Sequence, residues 1–121
     1  MGKQVLLIDD DDDVRDTLRE FLEDQGYIVA AAANGREALG LLSALPERPC
    51  FILLDLMMPV MDGWEFLREL AADAGLADMP VVISTSSPER APADHRVIPK
   101  PVNLREFLAT VRSYCVGTGS P

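Results

Sequence analysis

Short apolar runs alternate with amphipathic stretches along the whole chain, and the two periods are easily separated. Val5-Leu6-Leu7-Ile8, Phe51-Ile52-Leu53-Leu54 and Val81-Val82-Ile83 are continuous, the pattern of strands buried on both faces. Tyr27 to Ala32 reads as a second strand, Met79 to Ser84 as a fourth, and Val97-Ile98 as a short fifth. Between them the spacing becomes helical. Val14, Leu18, Phe21 and Leu22 predict a helix over Val14 to Gln25, closed by Gly26. Ala38, Leu41, Leu42 and Leu45 share one side of a helix over Arg36 to Leu45, and Pro46 and Pro49 then frame a turn. A third helix over Gly63 to Ala74 turns Leu67, Leu70, Ala71 and Ala74 inward. The last, over Leu104 to Cys115, does so with Leu104, Phe107, Leu108 and Val111.

Three helices share a start signal. Asn34 with Glu37, Asp62 with Glu65, and Asn103 with Glu106 each set a capping side chain three residues before a glutamate. Strand-helix alternation implies one α/β domain, a parallel sheet with helices on both faces. Ser86 to Arg96 breaks the rhythm. Only 11 residues separate Thr85 from Val97, and Pro88 and Pro92 fall among them, too little for an ordinary helix and two connections. The fourth helix is therefore expected to be shortened or absent.

The composition narrows the function by exclusion. A length of 121 residues fits one domain, and 48% hydrophobic with 26% charged residues is globular. A net charge of −9 disfavours a nucleic-acid groove or an anionic membrane surface as the main contact. No apolar stretch approaches the roughly 20 residues of a membrane span, and Met1 to Gln4 leads into a strand without a signal-peptide apolar region. Two cysteines, Cys50 and Cys115, are too few for a disulfide scaffold and read as reduced thiols of a cytoplasmic protein.

Candidate chemistry sits at the strand ends. Five aspartates, Asp9 to Asp13, follow the first strand, and Asp55 ends the third. Like charges held together raise one another's pKa, and a hard divalent cation with oxygen ligands relieves that cost. In an open parallel sheet, ligands bind beyond the carboxyl ends of the strands. There the fourth strand exits into Ser84-Thr85-Ser86-Ser87 and the fifth into Lys100. Acids, a carboxylate, hydroxyls and an amine on one edge suit phosphoryl transfer, with an aspartate as nucleophile. Ser84 or Ser86 takes the place of Thr85 if the register shifts. Asp11, Asp12 and Asp13 read as surface residues, one of them capping the first helix.

On these residues the chain resembles the receiver domain of two-component response regulators. The resemblance rests on Ile8-Asp9-Asp10, Leu54-Asp55-Leu56-Met57-Met58-Pro59 with Met61-Asp62-Gly63, Ser84-Thr85-Ser86, and Lys100-Pro101. It implies a doubly wound five-stranded parallel sheet in the flavodoxin-like order 2-1-3-4-5, which is the order given for this family in general. It implies that Asp55 accepts a phosphoryl group from a histidine kinase or phosphotransfer protein. Mg²⁺, or Mn²⁺ in its place, would be held by Asp9, Asp10, Asp55 and the backbone carbonyl of Met57, with Asp10 the direct ligand of the acid pair. Thr85 and Lys100 would take the phosphoryl oxygens, and Met57 and Ser87 would gate water. Such a domain is no enzyme beyond catalysing its own phosphorylation and dephosphorylation, and it controls a downstream protein.

Val97 occupies the position where such domains usually carry an aromatic residue. With the missing helix, this points to a readout through the Ser86 to Arg96 loop. Residues 1–116 are read as the receiver domain and 117–121 as a flexible tail. Other readings fit less well. Asp9, Asp11, Asp13 and Glu20 match calcium-loop positions, but Val14 stands where that loop needs glycine. A haloacid-dehalogenase-type phosphatase needs more chain. A receiver-like interaction module that works without phosphorylation is the main alternative.

Overall fold

A computed structural model describes residues 3–115, so the proposed tail at 117–121 lies outside the described residues. Five strands, β1 (Gln4–Ile8), β2 (Ile28–Ala32), β3 (Phe51–Asp55), β4 (Val81–Thr85) and β5 (Arg96–Pro99), form one sheet in the order β2-β1-β3-β4-β5. Every pairing is parallel. The helices are α1 (Asp12–Asp24), α2 (Gly35–Ala44), α3 (Gly63–Ala72) and α4 (Leu104–Tyr114). Where the alternation calls for another helix, between β4 and β5, there is a single 3₁₀ turn, Pro88–Arg90.

Alternate side chains of the central strands feed two cores. Leu6, Ile8, Ile52, Leu54 and Ile83 pack with Ala38 and Leu42 of α2 and Phe66 and Leu70 of α3. Val5, Leu7, Phe51, Leu53 and Val82 pack with Leu18 and Leu22 of α1 and Phe107 and Val111 of α4. Burial on both faces is why β1, β3 and β4 read as unbroken apolar runs. The inward face of α3 is a correction. Phe66 and Leu70 are buried and Leu67 partly so, while Ala71 and Ala74 are exposed. A bulky ring buries more apolar surface than two methyl groups and sets the helix rotation.

All three caps form, but only one is the reciprocal box that the spacing suggests. Asp62 and Glu65 make the full reciprocal box. Asn34 and Asn103 accept from Glu37 N–H and Glu106 N–H at 2.9 Å each, while Glu37 reaches back one residue further, to Ala33 N–H at 2.8 Å. Asp11 caps α1, accepting from Asp13 and Val14 N–H.

Cys50 and Cys115 are not free thiols. The fold brings their Cα atoms to 5.4 Å and they form a disulfide across a sequence separation of 65. The cause is the packing of α4 across the foot of β3, where the Phe51 and Tyr114 rings lie 5.5 Å apart. The bond ties the end of α4 to the segment entering β3.

Candidate functional site

Because β1 and β3 are neighbours with Ile8 opposite Leu54, the residues that follow, Asp9 and Asp55, emerge side by side. Both are buried, at 6% and 5% exposure, whereas Asp10 is exposed. One carboxylate oxygen from each of Asp9, Asp10 and Asp55 lies within 4.8 Å of the others, a spacing that can hold a metal ion. An all-oxygen anionic donor set suits a hard divalent cation such as Mg²⁺.

Lys100, just beyond β5, reaches across the sheet edge. Its Nζ lies 2.8 Å from Asp9 Oδ2 and 3.5 Å from Asp55 Oδ1. Burial works against its charge, yet the hydrogen bond and charge of Asp9, with Asp55 adding to them, leave the ammonium pKa raised. Asp55 is pushed the other way from the usual carboxylate, up to about 6. Burial is the main cause and the Asp9 charge the next, opposed by Lys100 and by the Met57 N–H that donates to Oδ1 at 3.4 Å. One ammonium does not balance three carboxylates.

The neighbouring backbone fixes these groups in place. Asp9 Oδ1 accepts from Asp11 N–H at 2.9 Å, and the Asp9 carbonyl accepts from Arg15 Nη1 at 2.7 Å. Thr85, buried at the end of β4, accepts from Ser87 N–H through Oγ1 at 3.0 Å. Its carbonyl accepts from Lys100 N–H at 2.9 Å, which locks the ends of β4 and β5 together. The Thr85 hydroxyl is thus held by its own turn. Ser84 pairs in register with Asp55 and carries a buried hydroxyl without a hydrogen-bond partner, while Ser86 is exposed. The Lys100–Pro101 peptide bond is cis.

Gly63 begins α3 hard against the site. A Cβ there would lie 2.7 Å from the Asp55 carbonyl oxygen, so only glycine permits this approach. The mouth is a concavity of about 440 Å³ lined by Asp10, Met57, Met58, Pro59, Asp62, Trp64 and Arg90. Val60, exposed next to Pro59 in sequence, holds a left-handed φ of 69°, costly for a β-branched residue. The Arg90 guanidinium stacks 5.3 Å from the Trp64 ring centroid, and its Nη1 lies 3.9 Å from Met57 Sδ.

Asp9, Asp10, Asp55 and Lys100 are therefore brought together, with Thr85 at the adjoining strand end. Met58 and Met61 pack in the loop, whereas Met57 is exposed at the mouth. Arg15 and Arg90 were missed from sequence. Arg15 reads as a surface partner of Asp12, a contact it also makes, and nothing in the sequence signals its bond to a backbone carbonyl. Arg90 sits in a segment without periodicity.

A family model described as the response regulator receiver domain matches residues 5–112. The chain belongs to this family. It is 40% identical over 121 residues to Response regulator MprA of Mycolicibacterium vanbaalenii, covering 93% of this chain and 50% of that protein. It is 37% identical to an uncharacterized 14.6 kDa protein of Leptolyngbya boryana, covering 93% of this chain and 89% of that one. The chain spans about half the length of the MprA proteins it matches. Among solved structures, the chemotaxis response regulator CheY4 of Vibrio cholerae superposes with a TM-score of 0.80 at 31% identity, over 94% of this chain and 99% of that one. The signal receiver domain of a signal transduction histidine kinase from Syntrophus aciditrophicus does so with a TM-score of 0.81 at 28% identity, over 98% and 94%.

Proposed function

We propose that Asp55 is the phosphoacceptor of a two-component switch, charged by a histidine kinase or phosphotransfer protein. The observation that carries this reading is a buried carboxylate beside two further acids and a lysine, on the sheet edge where ligands bind. A carboxylate oxygen of Asp55 attacks phosphorus. The bond from phosphorus to the donor's nitrogen or oxygen breaks, and its electron pair leaves with the donor. The product is a mixed anhydride on Asp55.

Asp9, Asp10, Asp55 and the Met57 carbonyl are the groups that would hold Mg²⁺ or Mn²⁺. When bound, the ion supplies positive charge to the phosphoryl oxygens. Lys100 turns from Asp9 toward one phosphoryl oxygen. The Thr85 hydroxyl leaves Ser87 N–H to donate to another, and this change passes into the Ser86 to Arg96 loop as the readout. The target is a downstream protein or an output region. The domain binds no nucleic acid itself, and its reaction is confined to its own phosphorylation and dephosphorylation. A cytoplasmic location fits this reading. Among the described residues no helix is long and apolar enough to cross a membrane.

Intact-mass measurement tests the proposal. With Mg²⁺ and acetyl phosphate the protein gains one base-labile phosphoryl group, lost with EDTA and with Asp55→Asn. An unchanged mass with metal, donor and a cognate kinase present supports instead an interaction module that works without phosphorylation. Amide shifts that leave Ser86 to Arg96 unmoved on phosphorylation sink the proposed readout.

A further inference from the structure

We propose that Arg90 is a second cation for the incoming phosphodonor, held in waiting on the Trp64 ring at the mouth of the site. The inference rests on Asp55 being the phosphoacceptor. A phosphoryl donor is anionic and must approach an edge that already carries Asp9, Asp10 and Asp55. Of the cations beside these acids, Lys100 is already engaged with Asp9 and Asp55, and Arg15 with the Asp9 carbonyl and Asp12. Arg90 lines the same concavity as Asp10, so an anion entering there meets its guanidinium.

The partners of Arg90 are weak ones. The ring face of Trp64 holds it by cation–π attraction, and the Met57 thioether is a poor acceptor. Among the described residues no carboxylate forms an ion pair with it within 4.0 Å, although Asp10 and Asp62 line the same concavity. A planar guanidinium with most of its donors unspent fits two phosphoryl oxygens at once. Stacking on Trp64 holds it in the concavity without an ion pair to the acids there, which lowers the ordering cost of capture.

The backbone links this arginine to Thr85. Arg90 N–H donates to Ser87 carbonyl at 2.9 Å within the 3₁₀ turn, and Ser87 N–H donates to Thr85 Oγ1. When the Thr85 hydroxyl turns to a phosphoryl oxygen, Ser87 is released, and the turn bearing Arg90 is free to follow. The short turn standing in for a helix thus carries a donor-binding group as well as a readout.

The test is phosphorylation of the full chain by acetyl phosphate with Mg²⁺, followed by intact mass over a range of donor concentrations. Arg90→Ala is expected to raise the half-saturating donor concentration about tenfold, with the limiting rate changed by less than about twofold. Arg90→Lys recovers part of that loss. Trp64 is the single tryptophan, so its emission reports the stack independently of turnover. Titration with beryllium fluoride, a phosphoryl mimic, shifts the emission of the wild type and not of Arg90→Ala. Unchanged half-saturation in both variants overturns the role of Arg90 while the wild type still gains mass. A fall in limiting rate alone, with half-saturation intact, overturns it too. A wild type that gains no phosphoryl group overturns the Asp55 reading, and this inference with it.

Discussion

Lys100 Nζ lies 0.7 Å nearer to the Asp9 carboxylate than to that of Asp55, at 2.8 Å against 3.5 Å. The lysine is foremost a partner of Asp9, and so it competes for that acid with any cation the three aspartates hold. Lys100→Met is therefore expected to tighten Mg²⁺ binding by roughly three- to tenfold, since one like charge a few ångströms away is removed. Isothermal titration of both proteins decides it, and weaker binding by the variant would show that Lys100 organises the acids instead. The raised lysine pKa means its stabilising contribution is full below the unfolded-state pKa. It is lost only as pH rises through the higher folded value, so it is constant across the neutral range.

Asp55 behaves in the opposite sense. Its pKa rises from 3.8 to about 6 on folding. Between those values the folded state binds more protons than the unfolded one, so stability without metal falls as pH rises from about 4 to about 6 and then levels off. Asp55→Asn removes the penalty. In EDTA at pH 7.5 the variant should be more stable by roughly 1–2 kcal/mol, and near pH 4 the two should coincide. Excess Mg²⁺ should reverse the order, because it stabilises only the chain that binds it well. Denaturant midpoints at the two pH values, with and without metal, read out all three outcomes.

The site was legible where chemistry and period coincide. Asp9, Asp55 and Lys100 follow apolar strands, so a parallel sheet brings them to one edge whatever the details of the helices. The single turn in place of a helix was legible too, because 11 residues with two prolines cannot hold one. Besides the Arg15 contact to the Asp9 carbonyl, three features were not. The rotation of α3 depended on whether Phe66 or a pair of alanines faced inward, and helical spacing allows both. Arg90 reaches Trp64 through a loop that has no period to read. The pairing of Cys50 with Cys115 depends on how α4 crosses the foot of β3, which no local pattern encodes.

Two glycines separate backbone approach from helix propensity. At Gly63 a Cβ would meet the Asp55 carbonyl oxygen and Leu56 Cα, each at 2.7 Å, and backbone atoms cannot easily move aside. Gly63→Ala should cost roughly 1–3 kcal/mol and slow phosphoryl acceptance, because α3 is pushed off the strand end that carries Asp55. At Gly40, inside α2, a Cβ meets nothing within 4 Å. Gly40→Ala should gain roughly 0.5–1 kcal/mol through helix propensity alone. Thermal melts of the pair, alongside acetyl phosphate kinetics, check both signs. A neutral Gly63→Ala would mean that the start of α3 shifts freely.

The Cys50–Cys115 bond lies at the foot of the sheet, where β3 is entered, while Asp55 lies at the opposite end of that strand. Stability and phosphoryl acceptance should therefore separate. Closing a loop with a sequence separation of 65 restricts the unfolded chain, and its loss should cost about 2–4 kcal/mol. Reduction, or Cys115→Ser, should lower the denaturant midpoint accordingly, and thiol titration of the unfolded chain should find two free thiols only after reduction. Below the unfolding transition, the rate of Asp55 phosphorylation should hardly change, since Asp9, Asp10 and Lys100 keep their places without the bond. In a reducing cytoplasm the same pair would stand open, and the domain would work at lower stability with its chemistry intact. A midpoint indifferent to reductant would show that the packing of Phe51, Phe107 and Tyr114 alone fixes α4 to the sheet.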